Sequence, residues 1–136
     1  MSLYKAYMDE IKEREKIGLS AKPIDDGELT KEIVLRIKDK NNSERNNALN
    51  FLIYNISPGT TASAKVKALF LKEIITGEVI LEEITASFAL KLLSHMKGGP
   101  SVDILLDLTL GENKLIAKES AEVLKSQIFL YKHDLD

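Results

Sequence analysis

Apolar residues recur every three or four positions along most of the chain, separated by short stretches that are polar or marked by glycine and proline. This spacing places apolar side chains on one face of a helix. The first such segment runs from Leu3 to about Lys16 and is ended by Gly18. A second helix begins near Asp25 or Asp26, since either carboxylate can cap its first amides. Its predicted apolar face consists of Leu29, Ile33, Val34 and Ile37.

The same pattern predicts a third and a fourth helix after the polar interval 38–45. Asn42 or Ser43 is the expected N-cap of the third helix, which ends at Ser57-Pro58-Gly59. Thr60 or Thr61 caps the fourth, and Gly77 is its C′ residue. The third helix points Ala48, Leu49, Leu52, Ile53 and Ile56 inward, with Phe51 and Tyr54 at the edge of the stripe. Successive turns of the fourth carry Ala62, Val66, Leu69, Phe70, Glu73 and Ile74.

Residues 78–84 contain a β-prone run but have no second strand to pair with, so we interpret them as an apolar connector. Thr85 caps a fifth helix, and Lys97-Gly98-Gly99-Pro100 joins it to a sixth that ends at Gly111. The last helix runs from Glu112 to about Tyr131, and 132–136 form a tail. The inward residues of these helices are Phe88, Ala89, Leu92, Leu93, Met96, Val102, Leu105, Leu106, Leu108, Leu115, Ile116, Val123, Leu124 and Ile128.

About seven helices with short connections and no convincing strand predict an all-α fold. A weak internal echo relates residues 48–52 to residues 89–93, an offset of 41 positions. Helical hairpins of the HEAT type repeat at about 40 residues and stack to share a continuous core. We therefore expect a HEAT-like stack of helices, an α-α superhelix.

Composition limits the possible functions. The 136 residues carry a net charge of −2, without the basic excess typical of nucleic-acid binding. The absence of cysteine excludes disulfides, thiolate zinc sites and cysteine-ligated iron–sulfur clusters within this chain. No apolar run approaches the roughly 20 residues of a membrane span, and no signal peptide is recognisable. We expect one soluble, cytoplasmic domain over residues 1–136, with no membrane contact; Met1 and Ser2 are compatible with a vector-derived start.

Few residues qualify for chemistry. His95 and His133 lack a second ligand at metal-binding spacing, and a histidine in the last turn of a helix suits the helix dipole. Asp103 and Asp107 lie one turn apart and can share a face, but paired carboxylates react only in a cleft that shifts their pKa values.

Two further features have ordinary structural interpretations. Gly98-Gly99-Pro100 lacks the spacing of a phosphate loop and is explained by a helix end followed by a helix start. The four tyrosines, Tyr4, Tyr7, Tyr54 and Tyr131, are too dispersed to form a base-stacking platform. The sequence therefore predicts no catalytic, cofactor-binding or metal-binding residue.

Four segments in order resemble the N-terminal domain of bacterial aconitate hydratase B. The first is the opening helix with Gly18-Leu19-Ser20-Ala21-Lys22-Pro23-Ile24-Asp25, similar to the family's G-(I/L)-x-(A/P)-x-P-L-(D/N). The others are residues 51–59 (FLIYNISPG), 65–78 (KVKALFLKEIITGE) and 89–99 (ALKLLSHMKGG). Each segment alone is a weak match, but together they cover nearly the whole chain at similar spacing. Pro100 stands where the family usually has an aromatic residue.

The resemblance implies a role within a much longer cytoplasmic enzyme that interconverts citrate and isocitrate through cis-aconitate. Such enzymes use a [4Fe–4S] cluster held by three cysteines, none of which lies in the matching portion. The family's N-terminal HEAT-like domain packs near the active-site mouth, helps to form a substrate channel and takes part in protein contacts and dimerisation. Its expected partners are therefore the remaining domains and a second subunit. The family also binds mRNA, although the charge argues against nucleic-acid binding by this domain alone.

The chain stops at Asp136, about where the family's linker to the next domain begins, so we expect an excised domain that is inactive by itself. An alternative stays open: a free-standing helical-repeat adaptor that binds a partner protein through a concave face. The sequence also leaves open whether the parent enzyme prefers citrate or acids of the 2-methylcitrate type.

Overall fold

A computed structural model of the chain describes residues 2–57, 61–96, 99–111 and 113–135, with side chains as far as Lys125. In those residues the backbone forms helices and no β-strand, so the all-α prediction is confirmed. None of the described helices is both long enough and apolar enough to cross a lipid bilayer. The helices are α1 (Leu3–Lys16), α2 (Gly27–Lys38), α3 (Arg45–Tyr54), α4 (Ala62–Ile75), α5 (Ala86–Ser94), α6 (Gly99–Thr109) and α7 (Lys114–Leu135).

The contacts divide the chain into two compact units. Unit 1 consists of α1, α2, α3 and the start of α4 through Lys67, and in it α2 packs against both α1 and α3. Unit 2 consists of α4 from Ala68 onward with α5, α6 and α7, and there α6 packs against α7. Consecutive helices packed in this way are the hairpins from which HEAT-like folds are built. That residues 1–136 form one domain stays a prediction.

Each unit buries its own set of apolar side chains. In unit 1 these are Tyr4, Tyr7, Ile24, Leu29, Ile33, Val34, Ile37, Ala48, Leu49, Leu52 and Ala64. In unit 2 they are Ala68, Phe70, Leu71, Ile74, Ile75, Leu81, Ile84, Ala89, Leu90, Leu93, Met96, Ile104, Leu105 and Leu108. The four residues predicted for the face of α2 are all buried, because its apolar positions follow the helical period closely.

The amino end of α1 is held by a carboxylate from the neighbouring helix. Glu32 of α2 accepts hydrogen bonds from the backbone N–H groups of Leu3, at 3.1 Å, and Tyr4, at 3.0 Å. The Ser2 hydroxyl accepts from the Lys5 N–H at 3.1 Å. The first amides of a helix have no partner within the helix, and negative charge there is favourable. Glu32 therefore fixes where α1 begins relative to α2.

Most of the predicted helix ends are confirmed. Gly18 and Gly77 follow α1 and α4 with φ angles of +78° and +84°, a conformation that glycine adopts without strain. Asp26, one of the two candidates, caps α2, and the Thr85 hydroxyl accepts from the first turn of α5. The Thr61 hydroxyl accepts from the third residue of α4 at 3.2 Å.

A single residue of the connector before α2 joins three parts of unit 1. The Ile24 N–H donates to the Asn55 carbonyl at 2.7 Å, and the Ser57 N–H donates to the Ile24 carbonyl at 2.7 Å. These bonds make an isolated parallel bridge between Ile24 and Ile56. The buried Ser63 hydroxyl of α4 donates to the same Ile24 carbonyl at 2.7 Å. With its side chain only 2% exposed, Ile24 is anchored through both its backbone and its side chain.

The N-cap prediction for α3 was wrong. Glu44 occupies that position, without a side-chain capping bond, instead of Asn42 or Ser43. The Asn42 Oδ1 accepts from the Glu44 N–H at 2.9 Å, and the Asn42 carbonyl accepts from the Arg45 N–H at 3.2 Å. Asn42 therefore forms the turn that precedes the helix, a common use of asparagine. The predicted stop at Pro58-Gly59 and the alternative cap Thr60 lie outside the described residues.

The predicted face of α4 was partly wrong. Ala62 and Leu69 are exposed, whereas the buried positions include Ser63, Lys67 and Leu71. The prediction followed the large apolar side chains, but the packed face of this helix includes polar residues that find hydrogen-bond acceptors.

Unit 2 departs from prediction at two leucines and at the last helix. Leu106 and Leu115, predicted to face inward, are exposed, while Ser101 and Ile104 are buried. The last helix runs to Leu135, beyond the predicted tail boundary. Residues 78–84 form no strand, as predicted. Predictions that fall on Lys97, Gly98, Glu112 and Asp136, and on the side chain of Ile128, lie outside the described part of the chain.

The hydrogen bond from Ser63 to Ile24 can be tested with a matched pair of buried serines. Replacing Ser63 by alanine removes a donor from a buried carbonyl and should lower the free energy of unfolding by about 1–2 kcal/mol. Ser120 is equally buried at 0% exposure, but its hydroxyl meets no partner among the described residues. Ser120→Ala should therefore leave stability unchanged or raise it. Urea unfolding of both variants measures the difference, and equal losses would contradict the role given to Ser63.

Candidate functional site

The structure describes the side chain of one of the two histidines, His95. His95 is exposed at the C-cap of α5, where its backbone N–H donates to backbone carbonyls of the last turn. This placement agrees with the predicted position of His95 at the end of a helix. The side chain of His133 lies outside the described part of the chain.

Asp103 and Asp107 share the exposed face of α6, as their spacing predicts. Asp107 forms an ion pair with Lys72 of α4. Both carboxylates are exposed, whereas carboxylates that do acid–base work usually lie in a cleft. In the residues that the structure describes, no group of three or more histidine, aspartate or glutamate side chains is placed to hold a metal ion.

The turn between α5 and α6 is described only in part. Gly99 and Pro100 open α6, as expected for a proline in the first turn of a helix. Lys97 and Gly98, the other members of the predicted turn, lie outside the described residues.

The sequence did not predict the aromatic cluster that joins α1 to α3. Tyr4 and Tyr7 meet the edge of Phe51 with ring centroids 6.1 Å and 5.4 Å apart and interplanar angles of 61° and 81°. The guanidinium of Arg36 lies 4.2 Å from the centre of the Tyr4 ring. Each edge-to-face ring pair or cation stacked on a ring stabilises the folded state by about 0.5–1.5 kcal/mol beyond the burial of its apolar area. The cluster thus links three helices of unit 1.

The tyrosine hydroxyls of this cluster are used within the fold. Tyr4 donates to the Glu44 carboxylate at 3.1 Å, and Tyr7 donates to the Lys22 carbonyl at 2.7 Å. Burial, followed by the hydrogen bond to Glu44, raises the pKa of the Tyr4 phenol. Burial likewise raises the pKa of the Tyr7 phenol. The hydrogen bonds from Asn47 and Tyr4 lower the pKa of the Glu44 carboxyl. These groups serve as structural donors and acceptors.

Lys67 is a buried cation of unit 1 with a lowered pKa. Its side chain lies on the buried face of α4, the residue is 7% exposed, and its ammonium donates to the Ile53 carbonyl at 3.3 Å. That carbonyl belongs to the last turn of α3, where carbonyls have no partner within the helix and a cation is favourable. Burial lowers the pKa of Lys67 to about 8. A perturbed pKa can mark a reactive amine, but here the ammonium serves to close a helix end.

Unit 2 presents a group of exposed leucines around the turn between its last two helices. Leu106 of α6 is 47% exposed, and Leu110, which directly follows the end of that helix, is 78% exposed. Leu115, the second residue of α7, is 67% exposed. Exposed apolar side chains are more typical of a contact surface than of a catalytic centre.

Local sequence patterns could predict only part of the aromatic cluster and of the exposed surface of unit 2. Tyr4 and Tyr7 are three positions apart in a predicted helix, and Phe51 was predicted at the edge of the apolar stripe of α3. Their mutual contact depends on how α1 and α3 meet, which no short-range pattern specifies. The exposure of Leu106 and Leu115 was missed for the opposite reason, because apolar residues at helical spacing were expected to be buried.

Comparison with known proteins identifies relatives that match nearly the whole chain. A family model described as "Aconitate B N-terminal domain" matches residues 6–136. The chain is 33% identical over 125 residues to aconitate hydratase B of Helicobacter pylori, covering 92% of the chain and 14% of that protein. It is 30% identical over 130 residues to aconitate hydratase B of Escherichia coli, covering 96% of the chain and 15% of that protein. The chain thus spans about one seventh of the length of these relatives.

The buried lysine predicts a pH-dependent stability. The ordinary pKa of lysine is 10.5, so between about pH 8 and pH 10.5 the unfolded chain binds more protons than the folded one. Stability contributed by this residue therefore rises with pH through that window and is lowest below pH 8. At pH 7 Lys67→Met should raise the free energy of unfolding by about 1–3 kcal/mol, since it removes a buried charge.

Urea unfolding at pH 7 and pH 10 measures the effect. The gain in the free energy of unfolding from Lys67→Met should be smaller at pH 10, because Lys67 is then mostly neutral in the folded wild-type protein. Lys65→Met, at an exposed neighbouring position, is the control and should show no such dependence. A destabilised Lys67→Met at pH 7 would show instead that the bond to Ile53 outweighs the cost of burying the charge.

Proposed function

The chain belongs to the aconitate hydratase B N-terminal domain family, and on this premise we propose that it is a protein-interaction domain of a longer aconitate hydratase. The observation that carries the proposal is the match over residues 6–136, in order and nearly without remainder, to the N-terminal domain of these enzymes. The chain corresponds to only 14–15% of the relatives' length, so catalysis would belong to other parts of the polypeptide.

The proposed role has two parts. The domain would mediate assembly of the enzyme, and it would wall part of the route by which a tricarboxylate reaches the active site. The parent reaction would be the interconversion of citrate and isocitrate in the tricarboxylic acid cycle, in the cytoplasm. The exposed leucines of unit 2 support the assembly role, because apolar side chains on a surface gain free energy when a partner covers them.

This chain is not proposed to take part in the chemical step. A [4Fe–4S] cluster is held by cysteine thiolates, and the chain contains no cysteine, so its residues do not fit as cluster ligands. The carboxylates that the sequence singled out lie on the surface of α6, and one of them is paired with Lys72. In this proposal the chain contributes packed helices and the surfaces that they present to the rest of the enzyme.

The assembly role is tested by removing the segment from the full-length enzyme. Deletion of residues 1–136 should lower the oligomeric mass measured by light scattering and reduce kcat/KM for citrate. The absorbance of the cluster is the control, because it shows that the remaining domains are still folded and loaded. An unchanged oligomeric mass would remove the assembly role, and an unchanged kcat/KM would remove the channel role.

A further inference from the structure

We draw no further inference here: the strongest candidate, the buried ammonium of Lys67 that α4 places against the last turn of α3, rests on its lowered pKa alone, and the effect of that burial on stability is already derived above.

Discussion

Unit 1 depends on the hydrogen bonding of one extended residue, Ile24. Its N–H and carbonyl both bond to the segment that follows α3, and its carbonyl also accepts from Ser63 at the start of α4. Buried backbone groups must find partners, and a connector has no regular ladder to supply them. Here the segment after α3 and a buried serine supply them. As a result a connector between α1 and α2 determines where α3 ends and α4 begins, and the rest of unit 1 is built around that arrangement.

The other contacts of unit 1 follow from the same need to satisfy groups at helix ends. Glu32 of α2 binds the first amides of α1, and Lys67 of α4 binds a carbonyl in the last turn of α3. In both cases a charged side chain from one helix completes another, with a sign that suits the helix dipole. The two contacts differ in the free energy of desolvation, because the charge of Lys67 is buried and its pKa is lowered. Helix position and polar contacts are thus specified together.

The sequence was sufficient where the signal was local. Helix periodicity predicted α1 and the buried face of α2, and glycine and threonine at helix ends predicted Gly18, Gly77 and Thr85. It was insufficient where position depends on distant parts of the chain. Lys67 and Ser63 were not expected inside because their partners, Ile53 and Ile24, are 14 and 39 residues away. Leu106 and Leu115 were assigned to the core for a related reason, since periodicity places apolar residues on one face of a helix but does not show whether the rest of the chain covers them.

Those exposed leucines connect the fold to the proposed role. The chain matches the N-terminal domain of aconitate hydratase B and corresponds to a small part of such enzymes. Leu106, Leu110 and Leu115 are exposed apolar side chains of unit 2. The side chains of unit 1 hold its helices together, and the assembly and access proposed above would use the surfaces that the helices present.

The dependence of unit 1 on Ile24 can be measured most directly by native-state hydrogen exchange. The amides of Ile24 and Ser57 lie in non-helical segments, where exchange is normally fast, but each donates a hydrogen bond of 2.7 Å. If these two bonds hold unit 1 together, both amides should exchange only through opening of the whole unit, with protection close to that of amides in the middle of α2. Exchange at the rate of unprotected loop amides, while α2 stays protected, would contradict the account.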